Sequence, residues 1–378
     1  MATNDNSPLP SRLPDGLLTL DDYARQAAMC LPEAVLAYID GGSGTERTLC
    51  ANRAAFARHG LVSRVLRDLG EGGAATRLLG QALAHPILLA PVAHHALVHA
   101  QAECATAAGA GAAGALFVAS ALASRTMEDI VAAGEGPKWW QLYWQGARET
   151  TLALAHRAAQ AGFSALVFTA DAPVASVPER AQRAGFALPP HIVPAHRPAP
   201  APPRHLAHDA SIVFQGYMSD APRWEDFAWL AARAPLPVLL KGVLHADDAR
   251  AAQAAGAAGV IVSNHGGRAL DGAAASLDCL PAVRAALGPG AAVLLDGGIR
   301  RGTDVLIALA LGADAVMLGR PQMHGLAVGG ALGVAHMVRL LREEFELAMA
   351  LAGCARVADI DTTLLHPAAD FAMASATC

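Results

Sequence analysis

Eight short apolar runs punctuate the chain: Pro86–Ala93, Ala115–Ser120, Trp139–Trp144, Ala165–Asp171, Pro237–Val243, Gly259–His265, Ala292–Gly298 and Ala315–Pro321. Most are continuous rather than alternating, the pattern of parallel strands buried on both faces. Between them lie helix-length segments rich in Ala, Leu, Arg and Glu, such as Ala100–Ala113, Glu149–Ala161, Ala246–Ala255 and Thr303–Leu311. Eight strand-then-helix units predict an α/β fold, a (β/α)8 TIM barrel. Leu20–Ile39 reads as two short helices broken at Pro32, part of an N-terminal helical extension over about 18–60. Gly333–Ala352 reads as a long amphipathic closing helix. The barrel itself is expected over about 86–330, with residues 1–378 forming one domain.

Most run starts lie 22 to 33 residues apart, but Ala165 and Pro237 are 72 apart. That gap holds Leu188–Pro203, crowded with Pro, Ala, His and Arg. It reads as a long loop after strand four, either a mobile lid over the barrel mouth or a plain surface loop.

Composition narrows the class. The chain has 378 residues, 53% of them hydrophobic, and a net charge of −5 without a basic run. Nucleic-acid binding has no electrostatic footprint here. Met1–Leu13 is polar and lacks an apolar core, so no signal peptide is expected. Gly and polar breaks interrupt the apolar stretches, so no membrane span is expected either. The six cysteines form no C-x-x-C and suit reduced thiols in a cytoplasmic compartment.

In such a barrel the active site lies at the C-terminal ends of the strands. Polar residues close all eight runs: His94 and His95 after Ala93; Ser120; Gln141 and Tyr143; Thr169 and Asp171; Lys241; Ser263, His265 and Arg268; Asp296 and Arg300; Gly319 and Arg320. The stretch Ser263-Asn-His-Gly-Gly-Arg-Ala-Leu-Asp271 is the most informative. His265 can take a proton near neutral pH, and Arg268 can hold a carboxylate bidentately. Read alone, it is also compatible with a Gly-rich surface turn. Asp296-Gly-Gly-Ile-Arg300-Arg-Gly-Thr-Asp304 and Gly319-Arg320-Pro321 add glycines, a helix start and arginines, which suit a phosphate. Lys241 ends an apolar run, so it must be paired, in an ion pair or beside a cofactor that becomes anionic. No G-x-G-x-x-G follows an N-terminal strand, and no metal is expected.

Taken together, SNHGGR-LD at 263–271, DGGIRRGTDVLIALALGADAVMLGRP at 296–321, KGVLHADDA at 241–249 and QLYW at 141–144 resemble the FMN-dependent L-2-hydroxy-acid oxidase and dehydrogenase family. This glycolate, lactate and mandelate type is matched from about Leu20 to Cys354. Tyr38-Ile-Asp-Gly-Gly-Ser-Gly-Thr-Glu and Gln-Leu-Tyr-Trp are most similar to the hydroxymandelate oxidase branch, and Ala93-His-His-Ala-Leu-Val-His also resembles lactate oxidases. The resemblance implies FMN as cofactor and O2 as acceptor, giving a 2-oxo acid and H2O2. The substrate would carry an aromatic, mandelate-like or a lactate-like side chain. It implies His265 as the base, oriented by Asp171, with Arg268 and Tyr38 on the carboxylate, Tyr143 on the hydroxyl and Lys241 beside the flavin. Ala93, Ser120, Gln141, Thr169 and Ser263 would contact the flavin ring and ribityl chain, and Asp296, Gly298, Arg300, Gly319 and Arg320 the ribityl and phosphate end. A homotetramer or homo-octamer is implied in the same way.

Two departures stand out. Counting back from Phe186, Pro178 falls where the family has a second carboxylate-binding Arg, and Arg180 or Arg183 could reach in instead. Leu122 replaces a large aromatic of glycolate oxidases, leaving room for a side chain such as phenyl. The competing readings are a dehydrogenase passing electrons to a quinone or protein, a low-turnover flavin-binding protein, and an isomerase barrel acting on phosphorylated substrates. The last does not explain His265, Arg268 and Tyr143 together.

Overall fold

The computed structural model describes residues 12–196 and 206–367. Most of Met1–Leu13, the 197–203 part of Leu188–Pro203, and Cys378 lie outside the described residues.

All eight apolar runs contain strands: β1 (Ile87–Leu89), β2 (Phe117–Ala119), β3 (Lys138–Leu142), β4 (Leu166–Thr169), β5 (Val238–Val243), β6 (Gly259–Val262), β7 (Ala292–Asp296) and β8 (Ala315–Leu318). They pair in parallel in chain order, and β8 closes the barrel onto β1 through pairs such as Met317 with Leu88. Two cores explain why the runs are continuously apolar. Leu88, Val118, Trp139, Val167, Leu239, Ile261, Leu294 and Met317 belong to an inner cluster. The residues between them, such as Leu89, Trp140, Phe168 and Val262, belong to the outer cluster shared with the helices. An unforeseen hairpin, Thr76–Leu78 with Gln81–Leu83, adds Leu78 and Leu83 to the inner cluster and plugs the end away from the mouth.

The N-terminal extension forms α1 (Leu20–Cys30), α2 (Glu33–Asp40) and α3 (Arg47–Phe56). A Thr19–Asp22 capping box starts α1, and Pro32 stands at the N-cap of α2, where its missing N–H costs nothing. The closing helix starts earlier than expected, at Arg320 rather than Gly333, and runs to Ala352. Gly329 and Gly330 kink it, Gly330 at φ 55°, so the expected segment is its second half. By length and composition this helix could cross a membrane, yet 56% of its most apolar window is buried. It packs against α1 and the helix Ala102–Ala112.

The long connection after β4 holds short helical turns at Glu179–Arg183 and Ile212–Tyr217 before the helix Trp224–Ala231. The described part of Leu188–Pro203 is tied down at the rim instead of arching freely over the mouth. Ala195 N–H donates to the Ala123 carbonyl at 2.9 Å, and Met127 N–H donates to His196 Nε2 at 2.9 Å.

Candidate active site

After β6 the chain turns sharply through Ser263, Asn264 and His265. Buried Asn264 and Asn52 exchange two amide hydrogen bonds of 2.8 Å, which fasten this turn to α3. Gly267, at φ 75°, lies so close to α3 that an added Cβ would stand 2.6 Å from Leu49 N. His265 itself is held at φ 60°, a left-handed conformation costing a non-glycine residue about 1–3 kcal/mol. The strain is tolerated because the turn is fixed on both sides. His265 Nδ1 meets Asp171 Oδ1 at 2.8 Å, which leaves Nε2 for the cavity.

A bulge in β5 lets Asp171 come this close. Gly242 interrupts the register between Lys241 and Val243, and a Cβ there would lie 2.5 Å from Asp171 Cβ. Lys241 is buried and bonds Ser263 Oγ at 2.7 Å, with Asp296 at 3.2 Å and Asp171 at 3.8 Å. Burial opposes its charge, but Asp171 and Asp296 outweigh that and raise its pKa. Burial likewise opposes the Asp171 charge, but Lys241 and the His265 hydrogen bond bring its pKa down to about 2. An unfolded Asp titrates near 3.9. Ionised Asp171 therefore stabilises the fold fully above about pH 4, and this contribution is lost as pH falls toward 2. Acid unfolding should be steeper in this window for the wild type than for Asp171→Asn. Equal slopes in denaturant melts would contradict the pairing.

The neighbouring corner holds Tyr38, Tyr143 and Arg268. Burial pushes Tyr143 up to about 12, so its hydroxyl stays a neutral donor. Arg268 Nη1 caps the end of α2, donating to the carbonyls of Tyr38 at 2.7 Å, Gly41 at 2.9 Å and Ile39 at 3.2 Å. Its guanidinium carbon stands 5.0 Å from the centre of the Tyr38 ring. One edge of Arg268 is thus spent on the helix, and Nη2 remains for an anion.

From this corner a cleft of about 1000 Å³ runs across the mouth to Arg300 and Arg320. Arg320 is fixed by the carbonyls of Gly266 and Gly41 at 2.9 Å and Asp40 at 3.2 Å. Burial and neighbouring arginines lower Arg320 to about 9, and burial with Arg53 lowers Arg300 to about 10. An anion here would relieve that repulsion. Along the cleft, Gln141 Nε2, Thr169 Oγ1 and Asp296 Oδ1 are buried without a partner. Gln141 Oε1 is already engaged by Ser120 Oγ and Ala121 N–H, so its amide is oriented with Nε2 free to donate. Buried polar groups normally have partners. Hydrogen-bonding groups along the floor, a cation near one end and arginines at the other fit FMN.

The cleft lining brings together Tyr38, Ala93, Ser120, Gln141, Tyr143, Thr169, Lys241, His265, Arg268, Asp296, Gly298, Arg300, Gly319 and Arg320. Asp171 and Ser263 are not part of the lining and act from behind it, on His265 and Lys241. Gly298 has a packing reason besides: its Cβ would lie 2.1 Å from the Asn52 carbonyl oxygen. Arg180 and Arg183 do not reach in. Arg180 pairs with Glu46 and Arg183 with Glu179, in a separate groove behind α2. Leu122 is also absent from the lining, and its carbonyl accepts from His94 N–H at 3.2 Å. Sequence reasoning missed the Asn52–Asn264 pair and the part-buried Asp40–His324 pair at 2.7 Å. Asn264 sits inside the quoted Ser-Asn-His motif, but nothing local marks its distant partner.

The chain matches the family described as FMN-dependent dehydrogenase over residues 27–367. It is 52% identical to an L-lactate oxidase of Alicycliphilus denitrificans, covering 94% of this chain and 98% of that one. It is 43% identical to the 4-hydroxymandelate oxidase of Amycolatopsis orientalis, covering 90% and 96%. Among solved structures, mandelate oxidase with 3,3-difluoro-2-hydroxy-3-phenylpropionic acid superimposes with a TM-score of 0.83 at 42% identity, over 92% of this chain and 98% of that one. Both branches suggested by the motifs are represented, and identity is higher to the lactate oxidase.

Proposed function

The chain belongs to the FMN-dependent dehydrogenase family, and from that premise we propose that it oxidises an L-2-hydroxy acid to the 2-oxo acid, with O2 as the acceptor and H2O2 as the second product. The observation that carries this reading is the corner where the Asp171–His265 pair, Arg268, Tyr38 and Tyr143 converge on one end of the cleft. Bound FMN supplies the two-electron acceptor for this chemistry.

The residues divide the remaining work. Arg268 Nη2 and the Tyr38 hydroxyl hold the carboxylate and so fix which face of the α-carbon meets the flavin. Tyr143 donates to the substrate oxygen. The acid must lose two electrons and two protons. His265 Nε2 accepts a proton, from the α-carbon or from the hydroxyl, and Asp171 stabilises the imidazolium formed. Lys241 would turn its positive charge toward bound FMN and so favour its reduction. Asp296, Gly298, Arg300, Gly319 and Arg320 would hold its ribityl and phosphate end.

Anaerobic addition of L-lactate, L-mandelate, 4-hydroxymandelate and glycolate tests the reading. One L-acid should bleach the bound flavin, and readmitted air should restore the colour with formation of H2O2. Bleaching that only an artificial acceptor reverses would instead make the protein a dehydrogenase.

Pro178 gives a second test. With Arg180 and Arg183 engaged elsewhere, Arg268 is the guanidinium that the described residues place at this end of the cleft. A charged hydrogen bond is worth about 1.5–3 kcal/mol. Pro178→Arg should therefore lower KM for the acid by roughly tenfold or more. An unchanged KM would mean that position 178 does not face the carboxylate.

A further inference from the structure

A second cleft opens directly beside the first. Tyr143 and Thr169 belong to both linings, so the two clefts meet at these residues. The next wall is the segment that leaves Asp171: Ala170, Ala172 and Pro173. The cleft therefore starts where the proton-accepting pair ends. Its far side is Trp144, Tyr217, Ala221 and Pro222. The lining carries one carboxylate, Asp220, and no cation. It is unsuited to a carboxylate and suited to apolar surface. Tyr217 closes a short helical turn whose Ile212, Val213 and Phe214 also face solvent, at 58%, 42% and 72% exposure. Among the described residues, this turn beside the cleft thus leaves apolar side chains exposed.

We propose that this cleft is a subsite for the substrate side chain, and that it takes an extended aliphatic or aromatic group of several carbons. The inference rests on the 2-hydroxy-acid reading above. A substrate anchored at Arg268 and Tyr38, with its α-carbon at His265, projects its side chain away from Arg268. Past Tyr143 and Ala172 it meets Trp144, Pro173, Pro222 and Tyr217. A methyl group would use none of this surface. A five- or six-carbon chain, or a phenyl group on a short spacer, would fill it.

The test is a binding comparison on the FMN-loaded enzyme. Pyruvate and 2-oxooctanoate are titrated separately, and their dissociation constants are read from the perturbed flavin spectrum. Buried methylenes each favour the longer acid, so the wild type should bind 2-oxooctanoate about tenfold or more tightly than pyruvate. Ala221→Trp should fill the cleft, bring that ratio to about one and leave pyruvate binding within about twofold. Tyr217→Ala serves as a second variant should the first not fold, and it should reduce the ratio by removing one wall. Equal binding of the two acids by the wild type overturns the proposal, as does a ratio indifferent to the variants. So does a flavin that neither acid perturbs. Turnover is scored separately with L-lactate and L-2-hydroxyoctanoate. A preference for 2-oxooctanoate in binding without bleaching by either hydroxy acid would uphold the subsite and overturn the oxidation reading. Bleaching with equal binding would do the reverse.

Discussion

His265→Ala should slow anaerobic flavin bleaching by an L-2-hydroxy acid at least about a hundredfold, while FMN stays bound. A positioned general base contributes about 10²–10⁴-fold, and no other group among the described residues can replace it at that point. Tyr143 is held neutral up to about 12, Lys241 is kept protonated by two carboxylates, and Asp171 is held ionised behind the ring. Cofactor binding should survive because the hydrogen-bonding floor and the arginines lie on β2 to β5, β7 and β8 and do not depend on the imidazole. Asp171→Asn separates positioning from proton transfer. It keeps a hydrogen-bonding group beside Nδ1 but removes the charge that stabilises the imidazolium, so bleaching should slow and its pH profile should move. Stopped-flow bleaching across pH, with flavin content measured in parallel, reads both variants. Near-normal bleaching by His265→Ala would remove His265 from the chemistry.

Much of this site is legible along the chain because a barrel turns sequence order into spatial order. Each apolar run ends at the same mouth, so the polar residue after each run is a candidate wherever it falls. Lys241, Thr169 and Gln141 are found in this way before any resemblance is invoked. What cannot be read is the reach of a side chain. Arg180 and Arg183 are close enough in sequence to serve the carboxylate, yet Glu46 and Glu179 hold them behind α2. Glu46 lies 134 residues from Arg180, and no local pattern announces the pair. The Asn52–Asn264 pair is hidden for the same reason, at a separation of 212 residues. Closing helix and hairpin differ from expectation for another reason. Alanine and glycine are common here, so hydrophobic periodicity marks faces weakly, and the helix expected from Gly333 continues back through a kink at Gly329–Gly330 to Arg320.

Lys241→Met should cost the protein about 3–5 kcal/mol of stability and most of its bound FMN. Among the described residues the lysine is the one Lys or Arg that pairs with both the Asp171 and Asp296 carboxylates, at 3.8 and 3.2 Å. Removing one partner from a buried ion pair leaves an uncompensated charge, and that typically costs about 3–5 kcal/mol. Here two largely buried carboxylates are left without their shared cation. Asp171 will respond by binding a proton more readily. Asp171 titrates at about 2 chiefly because Lys241 overcomes its burial, so its pKa should rise in the variant. The acid limb of the stability curve should therefore shift to a shallower slope in the variant, whose deficit narrows as pH falls toward 2. That shift distinguishes a lost charge from a lost side-chain volume, since methionine fills similar space. Asp296→Asn added to Lys241→Met should restore part of the stability by removing one of the stranded charges, although Asp296→Asn alone destabilises. Such a cycle measures the coupling directly. Additive effects in chemical denaturation, with no change in the acid limb, would mean that Lys241 contributes packing and not charge.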